Sequence, residues 1–376
     1  MIYLDYNATT PVLPEALEAM MPYFTTEWGN PSSAYKFGYK IKTAIATARE
    51  QVADLIGAHP MEVIFTSCAT ESNNTAIHAA LKANPNKRHI ITSAVEHSSV
   101  LNYCMVLETE GYRVTYLPVD REGLLKIADL ENAITDETAI VSLMWANNET
   151  GVLFPVKEIA EICESRGVLY HCDAVQAAGK VDINLRTLPI NYLSLTAHKF
   201  HAPKGIGAVY VKRKTPMTSF IHGGHQERNL RGGTESVPLI AGMGKAAELA
   251  NKTLPGYDKK VRPLRDALEE GILERIPNTE LNGDKTQRLS NTTNISFHGI
   301  ESEALLILLD KEGICASSGS ACLAASDEPS HVIRAMKPDS AASRQMVRFS
   351  LDAVNTTTEV KSALAVVKRA TELLCG

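Results

Sequence analysis

Two rhythms of apolar and polar positions alternate along the first two-thirds of the chain. Short, nearly continuous apolar runs recur as "EVIFTS" (62–67), "HIITSA" (89–94), "YRVTYL" (112–117), "TAIVSLMW" (138–145), "VLYHCDA" (168–174), "YLSLTA" (192–197) and "IGAVYV" (206–211). Each has the length and the bounding residues of a buried strand. Between several of them, apolar residues fall three and four apart, as over 156–166, where Gly167 supplies a helix stop. Ahead of the first run, Ile41, Ala44, Ile45, Ala48, Val52 and Leu55 recur at helical spacing. Strands buried on both faces and spaced by helices predict a mostly parallel, seven-stranded sheet between helical layers.

Beyond about Pro255 the pattern changes. A long charged helix is predicted over 258–275, a strand at "NTTNISF" (291–297) and a helix over 302–311. A strand at "MVRFSL" (346–351) and a last helix over 357–374 follow. The expected organisation is a large α/β domain over 14–255, with a smaller α+β domain from 1–13 and 256–376.

Composition narrows the function classes. The chain has 376 residues, 44% of them hydrophobic and 22% charged, and a net charge of −5. That balance lacks the basic footprint of nucleic-acid binding. No apolar run reaches the roughly 18 residues of a membrane span, and the start "MIYLDYNATTP" has no basic-then-apolar leader. Seven scattered cysteines without a CxxC pair fit reduced thiols in a cytoplasm. Neither GxGxxG nor GxxxxGK[ST] is present, which counts against nucleotide binding.

Candidate chemistry gathers at strand ends. Lys199 follows "YLSLTA", where ligands bind in open α/β sheets. It reads either as a snorkelling surface lysine or as a desolvated amine that forms a Schiff base with an aldehyde. Pyridoxal phosphate is the usual partner of such an amine and requires an acid beside its pyridine nitrogen. Asp173 of "HCDAVQ" can be that acid or a cap, and Gln176 could donate to the ring oxygen. His171, Cys172 and Asp173 make a poor metal set, because adjacent strand residues face opposite ways; no metal site is expected.

In "FTSCATESNN" the helix start at Ala69 and Thr70 is an anion site or an ordinary Thr cap. His97 is a packing residue or a ring stacked over a cofactor that moves protons. Asn147 and Asn148 are turn formers or ligand contacts. Cys315 reads as inert and buried, whereas Cys322, on a Ser/Gly-rich stretch, suits a delivered nucleophile.

Taken together, "LDYNATTPV", "GNPSSAYKFG", "FTSCATESNN", "MWANNETG", "HCDAVQAAGK", "AHKFHAPKGIGAVY", "GGHQERNLRGGTE", "SSGSAC" and "VRFS" resemble the cysteine desulfurases. The subgroup is NifS/IscS-like, within the class V aminotransferases, and the likeness spans nearly the whole chain. It implies the type I fold of pyridoxal phosphate enzymes and conversion of L-cysteine to L-alanine, leaving a persulfide on Cys322. Lys199 would hold pyridoxal phosphate as an imine, with Asp173 at the pyridine nitrogen. Gln176 and Asn148 would lie at the ring oxygen and His97 on the ring.

By the same resemblance, Ala69, Thr70, Thr196 and His198 would hold the phosphate, joined by Thr234 from a second subunit, which implies a homodimer. Arg348 and Asn148 would bind substrate. Lys199, Cys322 and His97 would carry the catalysis. The sulfur would pass to an iron–sulfur scaffold or another acceptor protein, nitrogenase-type assembly included. Departures from the family pattern are Leu323 and Asp327 after Cys322, and Ala353 where an arginine is usual.

Overall fold

The computed structural model describes residues 1–319 and 329–375. Its centre is a seven-stranded sheet made from β2 (Val63–Thr66), β3 (His89–Ser93), β4 (Arg113–Leu117), β5 (Thr138–Ser142), β6 (Leu169–Asp173), β7 (Tyr192–Thr196) and β8 (Gly207–Val211). The order across the sheet is β2-β8-β7-β6-β5-β3-β4. Every pairing is parallel except those of β8, which runs antiparallel to both β2 and β7.

Period-two alternation divides the strands between two cores. Val63, Phe65, Ile91, Val141, Leu193 and Leu195 pack on one face with Ile41 and Val52 of the helix Lys36–Leu55. Ile64, Ile90, Ile140, Tyr192 and Val209 pack on the other with Ile77 of the helix Ala69–Ala83. The apolar runs are continuous because both faces are covered.

A second body of structure follows. It joins β1 (Ile2–Tyr3) in parallel to β11 (Ile314–Cys315), and builds an antiparallel sheet from β9 (Thr279–Leu281), β10 (Thr292–Phe297) and β12 (Met346–Ser350). Its core holds Leu4, Val261, Leu268, Ile295, Leu305, Val347, Phe349 and Val367.

One helix differs from expectation. It runs unbroken from Val237 to Arg275, so the stretch expected from 258 begins 21 residues earlier and passes through Pro255 and Pro263. A proline strips the carbonyl four residues back of its partner. Here positions 251 and 259 are both exposed, so water can take up those carbonyls and the helix continues.

Candidate active site

The carboxyl ends of β5, β6 and β7 lie side by side, and a cavity of about 180 Å³ opens beyond them. Asn148 enters from the turn after β5, Asp173 ends β6, and Thr196, His198 and Lys199 follow β7. Ala69 and Thr70 come from the start of the helix Ala69–Ala83, His97 from the cap of the helix Ser98–Thr109, and Arg348 from β12.

Lys199 donates from Nζ to the carbonyls of Asn7 (2.5 Å) and Ala8 (2.6 Å). The lysine is therefore not a snorkelling surface group; its amine is seated on main chain brought from the N-terminus. Beside it, Asp173 is 7% exposed, and its carboxylate accepts from the Val175 N–H (3.0 Å) and the Asn73 amide (2.7 Å). Two N–H donors fix the orientation of this carboxylate. The Val175 bond is a turn contact, and no helix follows, so Asp173 is a turn residue that also faces the cavity.

The helix start sets aside the reading of Thr70 as the cap. The cap is Cys68, it makes no side-chain capping bond, and Thr70 sits inside the first turn. That turn's N–H groups have no side-chain cap, as an anion site requires. A Cβ on Gly207 would lie 2.8 Å from the Cys68 carbonyl carbon and 2.7 Å from the Leu195 oxygen. Glycine at 207 lets β8 pass directly under the turn.

His97 Nδ1 accepts from the Ser99 N–H (3.2 Å) and faces the Ser99 hydroxyl at 2.8 Å. The neutral ring therefore carries its proton on Nε2. Burial, then the charges of Lys199 and Lys204, push His198 down to about 4, so it is neutral; its Nδ1 lies 3.2 Å from Thr9 Oγ1. His171 is also neutral, pushed to about 4 by burial and held between Ser142 and Ser194 inside the sheet.

The adjacent asparagines divide their roles. Asn147 is a buried turn former, its Oδ1 accepting from Glu149 N, Thr150 N and Thr150 Oγ1. Asn148 lines the cavity, and its carbonyl accepts from Arg348 Nη1 at 2.9 Å. Arg348 Nη2 pairs with Asp5 at 2.6 Å, while its buried Nε has no partner among the described residues.

Comparison with known proteins agrees with this geometry. The aminotransferase class-V family model matches residues 2–362. The chain belongs to the class V aminotransferases. It is 53% identical over 373 residues to a cysteine desulfurase of Trichormus azollae, covering 99% of this chain and 93% of the relative. It is 49% identical to the cysteine desulfurase NifS of Azotobacter vinelandii, covering 97% and 91%. A solved NifS-like protein superposes with a TM-score of 0.92 at 37% identity, covering 100% and 99%.

One expected residue stands apart from the cavity of this class V aminotransferase. Thr234 is exposed on the loop after β8 and does not line it. The same loop is anchored by Arg231, which pairs with Glu71 next to Thr70 at 2.9 Å. Cys322, Leu323 and Asp327 lie outside the described residues. The chain approaches that segment beside the site, since Ser317 and Arg348 exchange backbone hydrogen bonds of 3.2 and 2.7 Å.

Sequence reasoning missed Asn7, Asn73 and Lys180. Asn7 is buried, and its Nδ2 donates to Thr292 Oγ1 (2.8 Å) and the Asn148 carbonyl (3.2 Å). Its Oδ1 accepts from Asn291 (3.0 Å). The signal available was an asparagine amid polar residues right after an apolar strand, in "LDYNATT".

Proposed function

We propose that this class V aminotransferase is a pyridoxal phosphate-dependent cysteine desulfurase, turning L-cysteine into L-alanine and leaving a persulfide on Cys322. The observation that carries the reading is the seating of the Lys199 amine, beside a doubly hydrogen-bonded Asp173, at the carboxyl ends of a doubly covered sheet. The names of the relatives agree with it.

The residues present fit the cofactor. The helix turn without a side-chain cap at Ala69 and Thr70, kept open by Gly207, suits a phosphate, with Thr196 and His198 beside it. Arg348 Nε is a buried donor without an acceptor among the described residues, which suits a site for a carboxylate. Pyridoxal phosphate, when bound, supplies an aldehyde for an amine and a ring that takes up electron density from the reacting carbon.

The protein's own part follows from the geometry. The Asn7 and Ala8 carbonyls hold the Lys199 amine close to the reaction centre, and once released it moves the substrate α-proton. Asp173 would hold a proton at the ring nitrogen. Asn148 and Gln176, which line the cavity, would meet the ring oxygen, and His97 would present Nε2–H. Arg348 orients the substrate carboxylate.

The Cys322 thiolate attacks the substrate sulfur. An S–S bond forms, the Cβ–S bond breaks, and its electron pair leaves with the carbon, which takes up a proton to become the alanine methyl.

We also propose a homodimer in which Thr234 serves the second subunit's phosphate site. Exposed Phe24, Trp28, Tyr35 and Tyr39 form apolar surface for a second copy to cover. A cytoplasmic location is supported by the six described cysteines, all free thiols. An iron–sulfur scaffold, including one of nitrogenase type, is the proposed sulfur acceptor.

The test is product analysis with L-cysteine. Alanine and sulfide should appear in equal amounts with a reductant present, and Cys322→Ala should stop sulfide release while leaving the cysteine-dependent spectral change. Sulfide release that persists in this variant contradicts the role of Cys322.

A further inference from the structure

Behind Gln176 lies a second amine that the reaction as described leaves unused. Lys180 is 7% exposed, and its Nζ donates to Gln176 Oε1 at 3.0 Å and to Asn7 Oδ1 at 3.5 Å. An ammonium only donates, so it settles which end of the Gln176 amide is which. Oε1 must face Lys180, and Nε2 then donates to the Asn7 carbonyl at 3.0 Å. The one amide hydrogen left over belongs to Nε2, on a side chain that lines the cavity. Gln176 therefore offers the cavity a donor, and whatever oxygen it meets must accept.

Electrostatics point the same way. Asp352 attracts the Lys180 charge and Arg348 repels it; both come from β12 or the turn after it, and Arg348 itself pairs with Asp5. Asp352 is shared with His201 (3.3 Å) and Tyr257 (3.4 Å). Among the described residues, no carboxylate forms an ion pair with Lys180. Burial lowers its pKa to about 8, so it is still largely cationic at neutral pH.

We propose that Lys180 is a positioning residue. It locks the Gln176 amide with N–H toward the cavity and sets a buried positive charge behind it, so that the site favours an anionic oxygen on the bound cofactor ring. This rests on the reading of the cavity as a pyridoxal phosphate site. A positive charge there favours the more anionic form of the lysine-bound cofactor, so it lowers the pH at which that form appears.

The experiment is a pH titration of the near-ultraviolet and visible absorption of the holoenzyme, without substrate. Lys180→Gln keeps a donor toward Gln176 but removes the charge; Lys180→Met removes both. In both variants the spectral midpoint should rise by about one pH unit, the scale expected for a charge several ångströms away at intermediate dielectric. In Lys180→Met the KM for cysteine should rise as well, because the amide is freed to turn.

A wild-type midpoint in Lys180→Gln overturns the inference. So does loss of the cofactor from a folded Lys180→Gln protein, and so does failure of both variants to fold, which would assign Lys180 to the fold. Wild-type protein without any cofactor absorption would instead overturn the functional reading itself.

Discussion

Lys199 Nζ lies 2.5 Å from the main-chain oxygen of Asn7, across 192 residues of sequence. That carbonyl also takes the Gln176 amide, while the Asn7 side chain ties the turn after β5 to β10. One buried asparagine thus joins the N-terminal strand, the central sheet and the second sheet at the amine that starts the chemistry.

Replacing Asn7 by Ala should therefore act on both stability and turnover. It leaves the Asn148 carbonyl and the Asn291 and Thr292 side chains short of partners, at a cost of about 2–4 kcal/mol for several buried hydrogen bonds. Denaturant unfolding measures the loss. A change below half a kilocalorie per mole would show that Asn7 is not the hub described.

Asn73 is expected to govern Asp173. Its Nδ2 donates both to Asp173 Oδ2 at 2.7 Å and to Ser99 Oγ at 2.8 Å. Asn73→Asp puts a second carboxylate against the first, which raises the proton affinity of the pair. Cofactor affinity should fall at least tenfold, read by equilibrium dialysis, with a smaller loss in Asn73→Ala. Equal affinities in all three proteins would contradict the bridge.

Arg348→Lys tests substrate orientation. A lysine cannot reproduce the fork that spans Asn148 and Asp5 while keeping Nε–H for the substrate. The KM for L-cysteine should rise tenfold or more, with the lysine-bound cofactor spectrum unchanged. An unaltered KM would remove Arg348 from the substrate site.

The pH dependence of stability should report Glu96. Complete burial pushes its carboxyl up to about 8, partly opposed by hydrogen bonds from Met144 N and Ser93 Oγ. A folded pKa above the unfolded 4.5 means that the native state holds a proton which the unfolded state has lost. The contribution is full below 4.5 and is lost as the pH climbs toward 8. Glu96→Gln should abolish that loss, so its stability advantage over wild-type apoprotein grows across this window by an amount on the order of a few kcal/mol. An advantage that does not vary with pH would contradict a buried, protonated Glu96.

Much of this was readable in the chain because the signals were local. The seven strands of the large sheet are visible as apolar runs, since each is covered on both faces and needs no polar alternation. Lys199, Asp173 and Asn148 are visible because each ends a strand or follows a strand end, where ligands bind. Asn7 was not, because its partners lie 141 to 285 positions away, and Lys180 was not, because its contact with Gln176, four positions back, gains its meaning only where Asn7 meets both. The uninterrupted helix Val237–Arg275 was hidden by Pro255 and Pro263, because the exposure of positions 251 and 259, which lets water take up the freed carbonyls, is set by the tertiary fold.

The central claim is that the amine at position 199 binds the cofactor aldehyde. Borohydride reduction of the holoenzyme followed by peptide mass mapping tests it most directly. A pyridoxyl-phosphate mass on the peptide containing Lys199, absent from Lys199→Ala, is the result expected. The same label on Lys180, or on no lysine at all, would contradict it.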